Sequence, residues 1–186
     1  MPDTAVASHV IYNCNFYFQT QANTSQVLYS GISRLPLHPT VCVSRSTAQS
    51  IPNDTNTTIT WDQVRWASNE RAGDNKMGWD HNGAFIVVPV TGIYLVSYTI
   101  SWATPASVVG HRTSQVWVNS SSSDAWAAKR SISSSSASNQ TFTVSDHVVL
   151  TKGDTVQLVV RQNSGSSMDC VGNPTDHFAV TLLYGL

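Results

Sequence analysis

Histidines are the side chains in this chain most able to do acid–base or metal chemistry, and there are six of them: His9, His38, His81, His111, His147 and His177. None forms a His-x-x-x-His or His-Glu pair, so no metal-ligand spacing is present. Serine is abundant, but no Gly-x-Ser-x-Gly segment presents one as a nucleophile. Neither a phosphate-binding glycine loop nor a dinucleotide fingerprint occurs. The sequence therefore predicts a protein that is not an enzyme, although spacing leaves open a Ser-His-Asp triad assembled by folding.

Carboxylates are the next candidates, because oxygen ligands in loops can hold Ca²⁺. Calcium takes six to eight oxygens, and the chain has no EF-hand spacing and no dense acidic loop. Aspartate in a turn more often bonds its own backbone, and we expect this of Asp154 as the turn residue of a Gly153-Asp154 hairpin. We expect no cofactor, with calcium as the alternative. The aspartates in or beside predicted loops are Asp74, Asp80, Asp124, Asp146, Asp154, Asp169 and Asp176.

Three cysteines, Cys14, Cys42 and Cys170, form an odd set with no Cys-x-x-Cys spacing. We expect buried, reduced thiols. A Cys14–Cys42 bridge that ties the N-terminal segment to the rest of the chain is the alternative.

Composition narrows the class of partner. Charged residues make up 11% of the 186 residues, against about 25% in typical domains. The net charge is −1, so long-range attraction to nucleic acid is not expected. No stretch approaches 18 apolar residues, so no membrane insertion is expected. Hydrophobic residues are 41% of the chain, with six Trp and six Tyr, which is enough for a packed core.

The elements that must position these residues are strands. No window of 12 residues has the apolar spacing of a helix. Short strand-like runs alternate with Gly, Asn, Asp and Pro turns, which predicts an all-β sandwich or barrel. The predicted strands are Val10–Phe18, Gln26–Tyr29, Val41–Ser46, Thr57–Trp61, Phe85–Pro89, Ile93–Trp102, Arg112–Val118, Ala125–Ser131, Thr141–Leu150, Thr155–Arg161 and Asp176–Leu183.

The most informative of these strands follows Gly92. Gly92 supplies a position that can take positive φ or let another chain pass closely. Bulky residues then recur at every second position: Tyr94, Val96, Tyr98, Ile100 and Trp102. The alternate positions, from Ile93 and Leu95 to Ser101, begin apolar and become small hydroxyls. A strand that is apolar on both faces near its start is typical of a sandwich that also contacts a partner.

Three segments in order resemble a known family. They are the Pro-x-x-Gly-x-Tyr segment at residues 89–94, the Leu150–Leu158 segment with its Gly153-Asp154 turn, and the closing strand His177–Leu183. This pattern is similar to the C1q globular head and the tumour-necrosis-factor-like (TNF-like) domains, over roughly residues 43–186. The resemblance implies an all-β, antiparallel jelly-roll sandwich that forms a homotrimer.

The resemblance also implies a subunit interface. In this family the inner sheets meet at a threefold axis, so the residues that would face the axis are Ile93, Leu95, Ser97 and Thr99. We expect Phe178 and Val180 of the closing strand to lie beside Leu95 in the same interface. The alternative is that the N-terminal segment covers both faces within one chain.

Residues 1–42 have a different character, with two aromatic-rich runs that cannot form a stable domain alone. We expect them to be an attachment arm that docks the jelly roll of residues 43–186 onto a larger assembly. Extra strands that cover a sheet edge are the alternative.

Free-standing C1q-like domains of this kind resemble virion proteins of tailed bacteriophages. The resemblance implies a trimeric structural protein, placed either as capsid decoration or as a tail-fibre receptor-binding knob. We favour decoration, because the chain has no collagen repeat and no heptads. The expected location is the virion, with other virion proteins bound through residues 1–42; no secretory leader is expected at the N-terminus.

A host-surface glycan or protein is a further expected partner. Tryptophans near loops could stack on sugar faces or belong to the core; these are Trp66, Trp79, Trp117 and Trp126. The alternative function is a secreted or free ligand-binding protein of the C1q-like or lectin type.

Overall fold

The structure, a computed structural model, describes backbone and side chains for residues 39–68, 83–103, 110–120, 139–173 and 175–186, and backbone alone for 15–19, 25–29, 32–33 and 130–133. These residues form fifteen strands and no helix. The chain divides into two compact units, Met1–His38 and Pro39–Leu186.

The first unit contains one antiparallel sheet of three strands in the order β1-β2-β3. The strands are β1 (Asn15–Gln19), β2 (Ser25–Tyr29) and β3 (Ile32–Ser33).

The second unit contains the remaining strands: β4 (Thr40–Ser44), β5 (Gln49–Ile51), β6 (Thr57–Thr58), β7 (Gln63–Ala67), β8 (Ile86–Val87), β9 (Gly92–Trp102), β10 (His111–Val118), β11 (Arg130–Ser133), β12 (Gln140–Leu150), β13 (Thr155–Gln162), β14 (Met168–Cys170) and β15 (His177–Gly185). The unit starts at Pro39, so β4 lies across the boundary expected between residues 42 and 43.

Two sheets make up this unit. The seven-stranded sheet has the order β5-β14-β9-β15-β4-β7. The seventh strand, β12, also pairs with β9, on the edge away from β15. The five-stranded sheet has the order β11-β10-β13-β6, with β8 also on β13. Every ladder between these strands is antiparallel. The expected all-β antiparallel sandwich is therefore confirmed.

The core lies between the two sheets and follows from the alternation along β9. Tyr94, Val96 and Tyr98 are fully buried, as the pattern predicts. The hydroxyl of Tyr98 lies 2.8 Å from that of Ser114 on β10, which joins the sheets through a buried hydrogen bond. Trp61 stacks on Phe178 with ring centroids 6.0 Å apart.

Gly92 is needed because another chain segment passes closely. A Cβ at this position would contact the carbonyl oxygen of Tyr184 and lie 2.5 Å from Cδ1 of Leu182. Both residues belong to β15, whose register shifts between them. Of the two uses expected for Gly92, close approach is therefore the one observed.

The Gly153-Asp154 turn differs from expectation in what it connects. The Asp154 carboxylate accepts a hydrogen bond from the Thr151 amide at 2.7 Å, and Gly153 has φ of +93°. Its flanking strands, β12 and β13, belong to different sheets. Asp154 is a turn residue as expected, but the turn crosses between sheets and does not close a hairpin.

Four short strands were not predicted from the sequence. The strands β3, β5, β7 and β14 have no counterpart among the predicted strands. They have two to five residues each, too few to show a period, and no residue of β7 is fully buried.

Candidate subunit interface

The candidate site is the side of the seven-stranded sheet that faces away from the core, which we call the outward face. On β9 it carries Ile93, Leu95, Ser97 and Thr99, all half-buried, while their neighbours along the strand are fully buried. Those neighbours lie in the core between the sheets, while the outward residues are covered only in part, by the flanking strands β12 and β15. The alternation predicted these positions, and the structure places them together on one face.

One end of the outward face is apolar. In register, Ile93 lies between Val149 of β12 and Tyr184 of β15. The side chains of Val149 and Tyr184 are each 65% exposed. Leu186, whose amide donates to the carbonyl of Thr91 at 3.2 Å, is 68% exposed. Three large apolar side chains thus face solvent around Ile93, and we call this group the apolar end.

The next row continues the surface through Leu95, which lies between His147 of β12 and Thr181 of β15. His147 is exposed and Thr181 is half-buried. The Thr181 hydroxyl is 2.7 Å from the hydroxyl of Thr40 on β4. Leu95 is therefore an apolar group at the centre of the sheet, next to the apolar end.

The other end of the face is built from hydroxyl groups. The hydroxyls of Thr99 and Thr143 are 3.1 Å apart, and those of Ser101 and Thr141 are also 3.1 Å apart. These cross-strand pairs bond to each other, as expected for Thr and Ser directly opposite in a sheet. The outward face is therefore graded, from apolar near Gly92 to hydroxyl-rich near Trp102.

A buried carboxylate stands at the hydroxyl end. Asp176 is fully buried and accepts hydrogen bonds from the Ser101 hydroxyl at 2.7 Å and the Ser101 amide at 3.0 Å. Desolvation by burial raises the pKa of Asp176, and the hydrogen bonds from Ser101 oppose this rise. Asp176 anchors the start of β15 to β9, so its role is structural.

The positions of Phe178 and Val180 correct the expected interface. They pair in register with Tyr98 and Val96, and both are fully buried in the core. The expectation that they lie beside Leu95 in the interface was wrong. Successive residues of a strand point to opposite sides of the sheet, so a shift of one residue moves a side chain from the outward face to the core. On the outward face the neighbours in β15 are Thr181 beside Leu95 and Ala179 beside Ser97.

The three exposed residues of the apolar end, Val149, Tyr184 and Leu186, were missed. The sequence did contain a signal for Val149. Phe142, Val144 and Leu150 lie an even number of residues apart and so share one face of the strand, which places Val149 on the other face. No comparable signal existed for Tyr184, because the irregularity after Leu182 changes the register there.

The tryptophans expected near loops lie in different places. Trp66 on β7 is 46% exposed. Trp117 on β10 is half-buried, and its indole N–H has no hydrogen-bond partner among the described residues. Trp79 and Trp126 lie outside the described residues.

The described residues bring together no group of three His, Cys, Asp or Glu side chains that could hold a metal ion. His9, His38, His81, Asp74, Asp80 and Asp124 lie outside that part of the chain, as does Cys14. Cys42 and Cys170 are buried free thiols, and burial raises the pKa of both. No helix within the described ranges has the length and apolar character needed to cross a bilayer.

Comparison with solved structures defines the class of fold: this chain has a TNF-like jelly roll. Murine APRIL at pH 8.0 superposes with a TM-score of 0.57 at 14% identity, over 78% of this chain and 99% of that one. Murine APRIL at pH 5.0 gives 0.57 at 17% identity, with the same coverage. Eiger TNF from S. frugiperda gives 0.53 at 12% identity, over 80% of this chain and 94% of that one.

No protein-family model matches the sequence, and no curated protein does. At these identities the likeness to solved structures concerns the fold alone. The expected jelly roll is confirmed.

Proposed function

We propose that this chain is a non-enzymatic surface module that forms a homotrimer through its outward face. The observation that carries the proposal is the apolar end, where Val149, Tyr184 and Leu186 are each at least 65% exposed. Contiguous apolar groups on a protein surface mark interaction sites. A threefold axis at this face brings three copies of Ile93 and Leu95 together, and burial stabilises contacts by about 25 cal/mol per Å².

The hydroxyl end fits the same arrangement. Its hydroxyls already bond to one another across strands, as in the pairs Thr99–Thr143 and Ser101–Thr141. Paired hydroxyls cost less to desolvate than free ones. A second copy can therefore cover these two hydroxyl pairs without leaving their hydroxyl groups unpaired.

We further propose that the trimer is a virion component, placed as capsid decoration or as a tail-fibre knob and docked through residues 1–42. Support comes from the resemblance to phage C1q-like proteins and from the low charge of 11%. The separate compactness of residues Met1–His38 is consistent with an attachment segment. Host-surface glycans or proteins are the proposed partners of the exposed side.

A free or secreted ligand is the second candidate function. The observation in its favour is the similarity in fold to Eiger TNF and to APRIL. The two candidates share the trimer and differ in what residues 1–42 bind.

Light scattering coupled to size exclusion tests the trimer directly. We expect a mass of three chains of 20.2 kDa each. A monomer at all concentrations would refute the interface and both candidates built on it.

Truncation of residues 1–40 then separates the two functions. If the chain is a virion component, the truncated protein remains a trimer and no longer joins the particle. A truncated protein that still joins the particle would contradict the docking role, and a full-length protein that joins no particle would favour the free ligand.

A further inference from the structure

The five-stranded sheet carries a cleft on the side that faces away from the core, which we call the outer cleft. It has a volume of about 170 Å³ and is lined by Asn56, Thr113, Gln115, Val159 and Arg161. Strands β10 and β13 position four of these residues, with Thr113 opposite Arg161 and Gln115 opposite Val159. Asn56 directly precedes β6, whose Thr58 pairs with Val159. Two strands and the segment before β6 therefore build the outer cleft within one chain.

The lining offers hydrogen-bonding groups that are not used within the described part of the chain. The side chains of Asn56, Thr113 and Gln115 have no hydrogen-bond partner there. Two amides and one hydroxyl can each donate and accept. Asn119, which follows β10, differs in that its side-chain amide donates to the Asp154 carboxylate at 2.9 Å.

Charge in the outer cleft is partly balanced. Arg161 is the one charged side chain of the lining, and its Nη2 is paired with Asp54 at 2.5 Å. Both side chains of the pair are more than half exposed, so Asp54 offsets part of the guanidinium charge, and the other guanidinium nitrogens remain able to donate. An anion therefore meets a weaker attraction here than an unpaired arginine would supply.

The size of the outer cleft limits the ligand to about one ring. A cavity of about 150 Å³ holds benzene, so 170 Å³ accommodates a single six-membered ring. The buried side chain of Val159 gives the floor an apolar patch for ring C–H groups. Trp117 lies one step further along the same side of β10, two residues after Gln115, where an aromatic face can extend the contact.

We propose that the outer cleft binds one neutral sugar ring, such as the terminal residue of a glycan. A sugar ring alternates hydroxyl donors and acceptors around an apolar C–H face, which matches two amides, a hydroxyl and a paired guanidinium over Val159. The site lies within one chain, so it does not depend on the trimer or on what residues 1–42 bind.

Titration of the full-length, isotope-labelled protein by TROSY NMR with glucose, galactose, mannose and N-acetylglucosamine tests the proposal. At least one of these sugars should shift the amide signals of Thr113, Gln115 and Arg161 saturably. A ligand of this size is expected to have a Kd on the order of millimolar. Absence of saturable shifts at roughly ten times that concentration overturns the proposal, as does binding of the anionic N-acetylneuraminic acid alone.

Variants locate the site. Gln115→Leu should weaken binding about tenfold, because one amide contact is lost and an apolar group faces the ligand. Asn56→Ala, at an exposed position outside any strand, repeats the test without touching the sheet. Gln63→Leu on β7 of the other sheet is the matched control and should bind like the unchanged protein. Equal affinity in all variants refutes the assignment.

Discussion

Replacing Leu95 by aspartate is the sharpest test of the outward face as a subunit interface. Leu95 is half-buried in one chain, between His147 and Thr181. In a monomer the new carboxylate would reach water beside the exposed His147. The folded monomer should therefore tolerate the change, and its cost should fall on assembly.

The magnitude follows from three copies at one axis. An unpaired carboxylate buried in an interface costs about 3 kcal/mol. Three copies cost about 9 kcal/mol together, before repulsion between the like charges is counted. Because about 1.4 kcal/mol is a factor of ten, the trimer association constant should fall by about six powers of ten, and a stable trimer becomes a monomer at micromolar concentration.

Light scattering over a dilution series measures this effect, and circular dichroism reports whether the chain stays folded. Ser167→Asp, an exposed position in the turn before β14, adds the same charge away from the outward face and should leave the trimer intact. A folded Leu95→Asp protein that remains a trimer at the same concentrations would refute the assignment of the axis face.

Three further variants test the packing of the fold, each by chemical denaturation. Gly92→Ala should destabilise the protein far more than Gly153→Ala. A Cβ at Gly92 meets β15, while a Cβ at Gly153 meets nothing within 4 Å and adds only strain at positive φ. Equal losses of folding free energy in the two variants would contradict the close approach at Gly92. Phe178→Ala should cost about 3–5 kcal/mol, and a loss below about 1 kcal/mol would contradict its place in the core. The pKa of Asp176 is raised in the folded state, so protonation of its carboxyl adds stability that is fully present below the ordinary pKa of 3.8 and is lost as pH rises through the folded pKa. Asp176→Asn should remove this pH-dependent loss of stability. A variant with the same dependence of stability on pH would contradict the assignment to Asp176.

The central strand was predictable because it is long. Ten residues of alternation from Ile93 to Trp102 indicated both its core face and its outward face. The same alternation, with the segments around Gly153 and His177, was enough for the jelly-roll class.

The interface was less predictable, because it requires knowing, for each strand of the sheet, which of its alternate residues face outward. In the closing strand Phe178, Val180 and Leu182 share one parity and fill the core, which the pattern contained and the family resemblance obscured. The outer cleft was beyond prediction, because Asn56, Gln115 and Arg161 are far apart in sequence and only pairing of β6, β10 and β13 brings them together.

The two proposed surfaces lie on opposite sides of the sandwich, and this placement links them. If the seven-stranded sheet meets the threefold axis, the five-stranded sheet of every copy faces outward, so the trimer presents three outer clefts. A millimolar site is too weak to hold a particle or a ligand alone. Linked sites convert later binding steps into intramolecular ones and can raise the overall affinity by about 10²–10⁴. A sugar site that is weak in one chain therefore gains affinity for a surface carrying many glycans when the interface on the other sheet links three copies, which gives assembly a direct part in recognition.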